Sequence, residues 1–250
     1  MSILKRCIKN ALQGIGLKPE SQDAQPHSFD HTFQRLRLLQ HLGFQPQVVC
    51  DVGASNGSWS RKCLKIFPEA SFFCIDPLVE NRPALEQLCS DHRAHYWMGC
   101  LGARKDRKTM NVAGGGSSLL PGHWGNAYGT QRAVPVETLD SLVGSGVCPP
   151  PDLIKLDVQG FELEVLAGAR ETLEHVQAVV MEISLYPFQS GMPIMHEAVA
   201  HLASHSLVVS DILSIKSRPL DKTAGQLDVL FIKADHQLRA DNRWDRSSVY

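Results

Sequence analysis

Three times in this chain a short apolar run stops at an aspartate. Val48-Val49-Cys50 ends at Asp51, Phe72-Phe73-Cys74-Ile75 at Asp76, and Leu153-Ile154-Lys155-Leu156 at Asp157. Runs of this length, apolar without alternation, are what strands buried on both faces require. Segments with helical spacing follow each of them, as Trp59, Cys63 and Ile66 do after the first and Leu163, Val165, Leu166 and Leu173 after the third. Strand and helix alternating on this scale fold as a doubly wound α/β sheet.

The first run also has the most informative turn. After Asp51, the residues Gly53, Ala54, Ser55, Asn56 and Gly57 make a tight turn of small residues before a helix begins at Ser58. Glycine lets backbone approach a ligand closely, and a helix start offers free N–H groups. A dinucleotide fingerprint would space its glycines G-x-G-x-x-G; Gly53 and Gly57 are four apart. A carboxylate at Asp51 would repel a pyrophosphate but neutralise an ammonium. That favours the amino-acid end of S-adenosyl-L-methionine over NAD. Asp76, 25 residues on, ends the second strand where an acid reaches ribose hydroxyls, although an aspartate before Pro77 also suits an ordinary turn.

The rest of the chain continues the alternation. A helix is expected over Phe29 to Leu42 and another over Arg82 to Ser90. Ala94 to Leu101 reads as the third strand, its end at Gly99, Cys100 and Leu101 placed for a nucleotide base. Lys108 to Val112 and Arg132 to Thr138 read as extra strands, and Leu139 to Val143 as a short helix. They enclose Gly114 to Gly129, a glycine- and serine-rich stretch of the kind that is mobile or functional. A helix over 161–174, a strand over Ala178 to Leu185, a helix from Met195 to Ser204 and strands over 207–213 and 228–233 complete the sheet.

Composition sets the outer bounds. At 250 residues, 43% hydrophobic and 20% charged, the chain suits one domain with short extensions. We divide it into an N-terminal helical extension over 1–46, a domain over 47–233 and a polar tail over 234–250. A net charge of −1 gives no basic field for nucleic acid. Seven cysteines without a C-x-x-C pair, two of them inside strand runs, point to a reducing cytoplasm. No apolar run nears the ~20 residues of a membrane span, and no signal-peptide core is present at the start. Ile3, Leu4, Cys7, Ile8, Leu12 and Ile15 fall at helical spacing among basic residues. Such a helix packs on its own domain or on a second subunit, which leaves a homo-oligomer open; a membrane surface is the less favoured partner.

Several segments together resemble the FkbM-type S-adenosylmethionine-dependent methyltransferases. They are D-V-G-A-S-N-G at 51–57, Ser117-Ser118, V-E-T-L-D at 136–140, L-I-K-L-D-V-Q-G-F-E-L-E-V-L-A-G-A at 153–169, M-E-I-S-L at 181–185 and D-V-L-F-I at 228–232. The resemblance implies a Rossmann-like sheet, mostly parallel with an antiparallel last strand. It also implies methylation of a hydroxyl oxygen, on a sugar, glycan or secondary metabolite. Two positions depart from the family: Ser55 and Gln159 stand where it usually has Asn and Glu. The second removes a charge beside the expected active site.

Asp157 and Glu182 end or occupy neighbouring strands, so either could take a proton from an attacking hydroxyl. Together they could hold Mg2+ through hard oxygen ligands. His123, in the glycine-rich loop, could supply a base on closure. His196 and His201 are five apart rather than the four of a zinc helix, and read as a solvated face. Two readings compete with an O-methyltransferase: a cofactor-binding module that has lost catalysis, and an NAD-dependent oxidoreductase, which the glycine spacing disfavours.

Overall fold

The computed structural model describes residues 28–120 and 130–245. The N-terminal helix expected over 1–18, His123 and the last residues of the tail lie outside them. Eight strands form one sheet in the order β1-β10-β11-β9-β8-β2-β3-β4. In chain order these are β1 (Phe29–Asp30), β2 (Val48–Val52), β3 (Ser71–Asp76), β4 (Ala94–Met98), β8 (Leu153–Leu156), β9 (Ala178–Ser184), β10 (Leu207–Ser217) and β11 (Ala224–Lys233). The five strands from β4 to β9 pair in parallel. The last strand, β11, runs antiparallel to β9, as the sequence led us to expect.

Alternate residues of each central strand serve two cores. Val49, Phe72, Cys74 and Val180 face helices α1 (Thr32–His41), α2 (Ser58–Leu64) and α3 (Arg82–Asp91), whose Leu36, Cys63, Leu85 and Leu88 are fully buried. Cys50, Phe73, Ile154, Val179 and Met181 face the other layer. That layer holds α4 (Leu139–Gly144), α5 (Glu162–Ala167), α6 (Arg170–His175) and α7 (Met195–Ser204). Burial on both faces is why these strands read as unbroken apolar runs. The domain also begins before Gln47: Phe29 and Asp30 pair with Ile215 and Ser214, and Leu36 and Phe44 belong to the core.

Two expected elements are divided. The third strand stops at Met98, and Cys100–Leu101 (β5) joins a second sheet of order β5-β7-β6, with β6 at Asp106–Val112 and β7 at Thr130–Glu137. The helix expected over 161–174 breaks at Gly168. A Cβ there would sit 2.1 Å from the carbonyl oxygen of Gly102, so only glycine permits this close approach. Asp140 then caps the second half, accepting the N–H groups of Glu171 and Thr172 at 3.1 and 2.8 Å. Among the described residues no helix is long and apolar enough to cross a membrane.

Candidate active site

From β2 the chain winds outward through β3 to β4, then returns to β8 on the other side of β2. Strand order therefore reverses between β2 and β8, and in such sheets the crevice beyond the carboxyl ends at that point binds ligands. A cleft with about 830 Å³ of empty space, its open mouth included, lies there. Its walls come from the ends of β2 and β3, from Gly99 to Leu101, from the second sheet and from the turn after β8.

Six of the expected cofactor residues line it: Gly53, Ser55, Asp76, Gly99, Cys100 and Leu101. Gly53 has a φ of 77°, and a Cβ on it would fall 1.9 Å from the carbonyl oxygen of Asp157, so the first turn is pressed against the third. Asp76 holds the corner of the cleft. Its Oδ2 accepts the Ser55 N–H at 2.9 Å, and its Oδ1 accepts Leu78 N–H and Asn81 Nδ2 at 2.9 Å each. A carboxylate has room for about four donors, so one acceptor position remains.

Four expected cofactor residues do not line the cleft. Ala54 is in the core, Asn56 caps Ser58 at 3.1 Å from the solvent side, and Gly57 packs beneath Leu85 and Leu88. Asp51 is the larger correction, because it has no exposed surface at all. The Ser60 hydroxyl donates to its Oδ2 at 2.6 Å, and the Lys155 ammonium lies 3.2 Å from its Oδ1. Lys155 also donates to the Gly53 carbonyl at 2.9 Å and stands 3.7 Å from Asp157. Burial works against its charge, yet Asp51, Asp157 and Glu182 outweigh it and raise its hold on the proton. Asp51 thus supports the turn from below. The sequence signal for this ion pair is the lysine inside the otherwise apolar run 153–156.

Asp157 and Gln159, after β8 and so across β2 from Asp76, also line the cleft. Gln159 Nε2 donates to Asp157 Oδ1 at 2.7 Å and to Glu182 Oε2 at 3.2 Å. Glu182 lies behind them and is absent from the cleft wall. Its oxygens are taken up by Gln159, by Gln226 at 2.9 Å and by Lys216. Burial, and then the nearby Asp157, push its carboxyl upward against the pull of Lys216. The two carboxylates expected near each other are therefore together, but only Asp157 reaches the cleft. Among the described residues no group of three or more His, Cys, Asp or Glu side chains is placed to hold a metal ion. The Mg2+ alternative finds no donor set.

Met110 of β6, in the second sheet, and the segment that follows that strand, with Gly114, Gly115, Ser117 and Leu119, also line the cleft. Both expected serines fasten it. Ser117 Oγ donates to the Gly114 carbonyl at 2.7 Å, and Ser118 Oγ donates to the Gln159 carbonyl at 2.7 Å. Leu120 packs with Phe161 and Met192. A two-pronged pair from Arg132 to Glu80, at 2.8 and 2.5 Å, ties the same sheet to the segment after β3. Residues 114–120 of the glycine-rich stretch are thus seated on the turn after β8.

Comparison with known proteins places this architecture. The chain matches the model of the methyltransferase FkbM domain over residues 51–206. It is 28% identical over 179 residues to the 2-O-methyltransferase NoeI of Sinorhizobium fredii, covering 64% of this chain and 73% of that protein. It is 29% identical over 154 residues to the hexuronic acid methyltransferase AglP of Haloferax volcanii, covering 59% of this chain and 60% of that one. Among solved structures, fibrillarin of Aeropyrum pernix with bound S-adenosyl-L-methionine aligns over 84% of this chain and 85% of its own, at 12% identity and a TM-score of 0.46. A methyltransferase from Geobacter sulfurreducens aligns over 94% and 90%, at 12% identity and 0.45. At those scores the structural likeness carries no argument.

Proposed function

The chain belongs to the FkbM methyltransferase family, and from that premise we propose that it methylates a hydroxyl oxygen of a sugar or glycan, with S-adenosyl-L-methionine as donor. The observation that carries this reading is one cleft lined both by Asp76, at the end of β3, and by the Asp157–Gln159 pair, after β8 on the other side of β2. The names of the two relatives, a 2-O-methyltransferase and a hexuronic acid methyltransferase, speak for a sugar acceptor.

The residues present suit the donor. Asp76, with one acceptor position left, would take a ribose hydroxyl, Gly53 and Ser55 would hold the amino-acid end, and Gly99 to Leu101 with Leu78 and Met110 would offer an apolar slot to the base. When bound, the donor supplies a sulfonium methyl group, whose transfer to oxygen breaks the carbon–sulfur bond and leaves the electron pair on sulfur. The chain's own work is to position the acceptor and take its proton. Of the Asp157 and Glu182 carboxylates, Asp157 is the one that reaches the cleft, and it takes that proton. Lys155, 3.7 Å away, and the Gln159 amide hold Asp157 in place.

The test has two parts. Calorimetry with S-adenosylhomocysteine should show binding and NAD should show none comparable; the reverse result would sink the cofactor assignment. Tritiated methyl transfer to a panel of hydroxylated glycosides separates an enzyme from a binding module that has lost catalysis.

A further inference from the structure

Gln159 is held more firmly than a surface turn requires. It is a non-glycine residue with φ at 55°, a conformation that costs energy and persists only where its surroundings impose it. Those surroundings are visible. The hydroxyl of Ser118 donates to its carbonyl, and the N–H groups on either side, of Val158 and Gly160, both donate to buried Glu162 Oε1 at 3.1 Å. Its side-chain NH2 spans Asp157 and Glu182. Carboxylates present acceptors, so the amide must turn its nitrogen toward them and its oxygen away. Oε1 is then the one polar atom of this cleft-lining side chain without a partner among the described residues.

We propose that Gln159 reads the acceptor: Oε1 receives a hydrogen bond from the hydroxyl next to the one being methylated, while Nε2 keeps Asp157 and Glu182 in place. The inference rests on the reading above that the acceptor is a sugar hydroxyl, and it narrows that class to pyranosides with neighbouring free hydroxyls. Asp157 and Gln159 adjoin through one hydrogen bond and both line the cleft, so two neighbouring hydroxyls meet two adjoining acceptors. A site built to bond a second hydroxyl rejects the analogue that lacks it, because its acceptor is left unpaired.

The experiment uses the full chain, S-adenosyl-L-methionine and the methyl glycosides of glucuronic acid, galacturonic acid, glucose and galactose, each beside its monodeoxy analogues. Wild-type enzyme should methylate at least one, with kcat/KM about 10- to 100-fold above that for the analogue lacking the neighbouring hydroxyl. Gln159→Met should lose about that factor on the parent glycoside and no longer tell it from the analogue. Gln159→Glu keeps an acceptor but places a third carboxylate beside two others. It should retain the preference and move the acid limb of the pH–rate profile upward, as a property of the cluster. Gln159→Asn, which tolerates the left-handed backbone but is too short to span both carboxylates, repeats the Met result should Met fail to fold. Discrimination by Gln159→Met equal to wild type, or an unmoved pH profile in Gln159→Glu, overturns the proposal. So does a wild-type enzyme that binds S-adenosylhomocysteine yet methylates none of the four. Failure to bind S-adenosylhomocysteine at all would instead strike the reading on which the proposal rests.

Discussion

Charge at single residues is arranged in two tiers around the cleft. Asp157 lines the cleft, whereas Asp51, Lys155 and Glu182 form the tier beneath. The two tiers should respond differently to substitution. Asp157→Asn keeps shape and removes the carboxylate, so S-adenosylhomocysteine should still bind while turnover falls by roughly 10²–10⁴, the scale of a lost general base. Calorimetry beside a methyl-transfer assay reads both, and full turnover would take Asp157 out of the mechanism. Lys155→Met should act on stability instead. It leaves the fully buried Asp51 without its cation, which costs about 3–5 kcal/mol in urea unfolding. Adding Asp51→Asn to that variant should recover part of the loss. A double variant no better than the single would mean that the pair is not what holds the Gly53 turn.

At the scale of elements, the turn between β8 and α5 is held by hydrogen bonds from three directions, from Ser118, Glu162 and Gln159. Glu162, the first residue of α5, folds back beneath it to accept from Val158 and Gly160. Burial pushes its carboxyl up from 4.5 to about 7, against the opposing pull of those backbone donors. Between those two values the folded protein holds a proton that the unfolded chain has released. Glu162 therefore subtracts stability as pH rises through that window, by on the order of 3 kcal/mol, and the loss is complete above it. Glu162→Gln preserves the acceptor and abolishes the titration. Melting curves from pH 4.5 to 7.5 should show wild type declining relative to the variant, and parallel curves would refute the assignment. The same turn receives the Ser118 hydroxyl from the segment after β6, so that segment and the turn are joined.

For the molecule as a whole, the cleft joins parts of the chain far apart in sequence: residues 52–55, 75–81, 99–119 and 157–161. A ligand that binds across all four stabilises the folded state against the unfolded one. S-adenosylhomocysteine at about 100 times its Kd should add about 2.7 kcal/mol, which for a chain of this length raises Tm by about 5–10 °C. NAD at the same concentration should leave Tm unchanged, and an equal shift with both would discard the cofactor assignment.

The strands and their order of appearance were legible because burial on both faces forces continuous apolar runs, and those runs are local in sequence. Asp51, Asp76 and Asp157 were legible as strand-end acids for the same reason. Their separate roles were not. Local pattern does not encode depth, and depth put Asp51 under the turn with Lys155 while Asp76 and Asp157 reached the cleft. The break at Gly168 depends on the backbone of Gly102, sixty-six residues away in sequence, and no helical periodicity carries that contact. Gln159 looked like a lost charge when read alone. Only the pairing of β8 with β9 sets its amide between two carboxylates, because that neighbourhood exists solely where the sheet brings the two strands side by side.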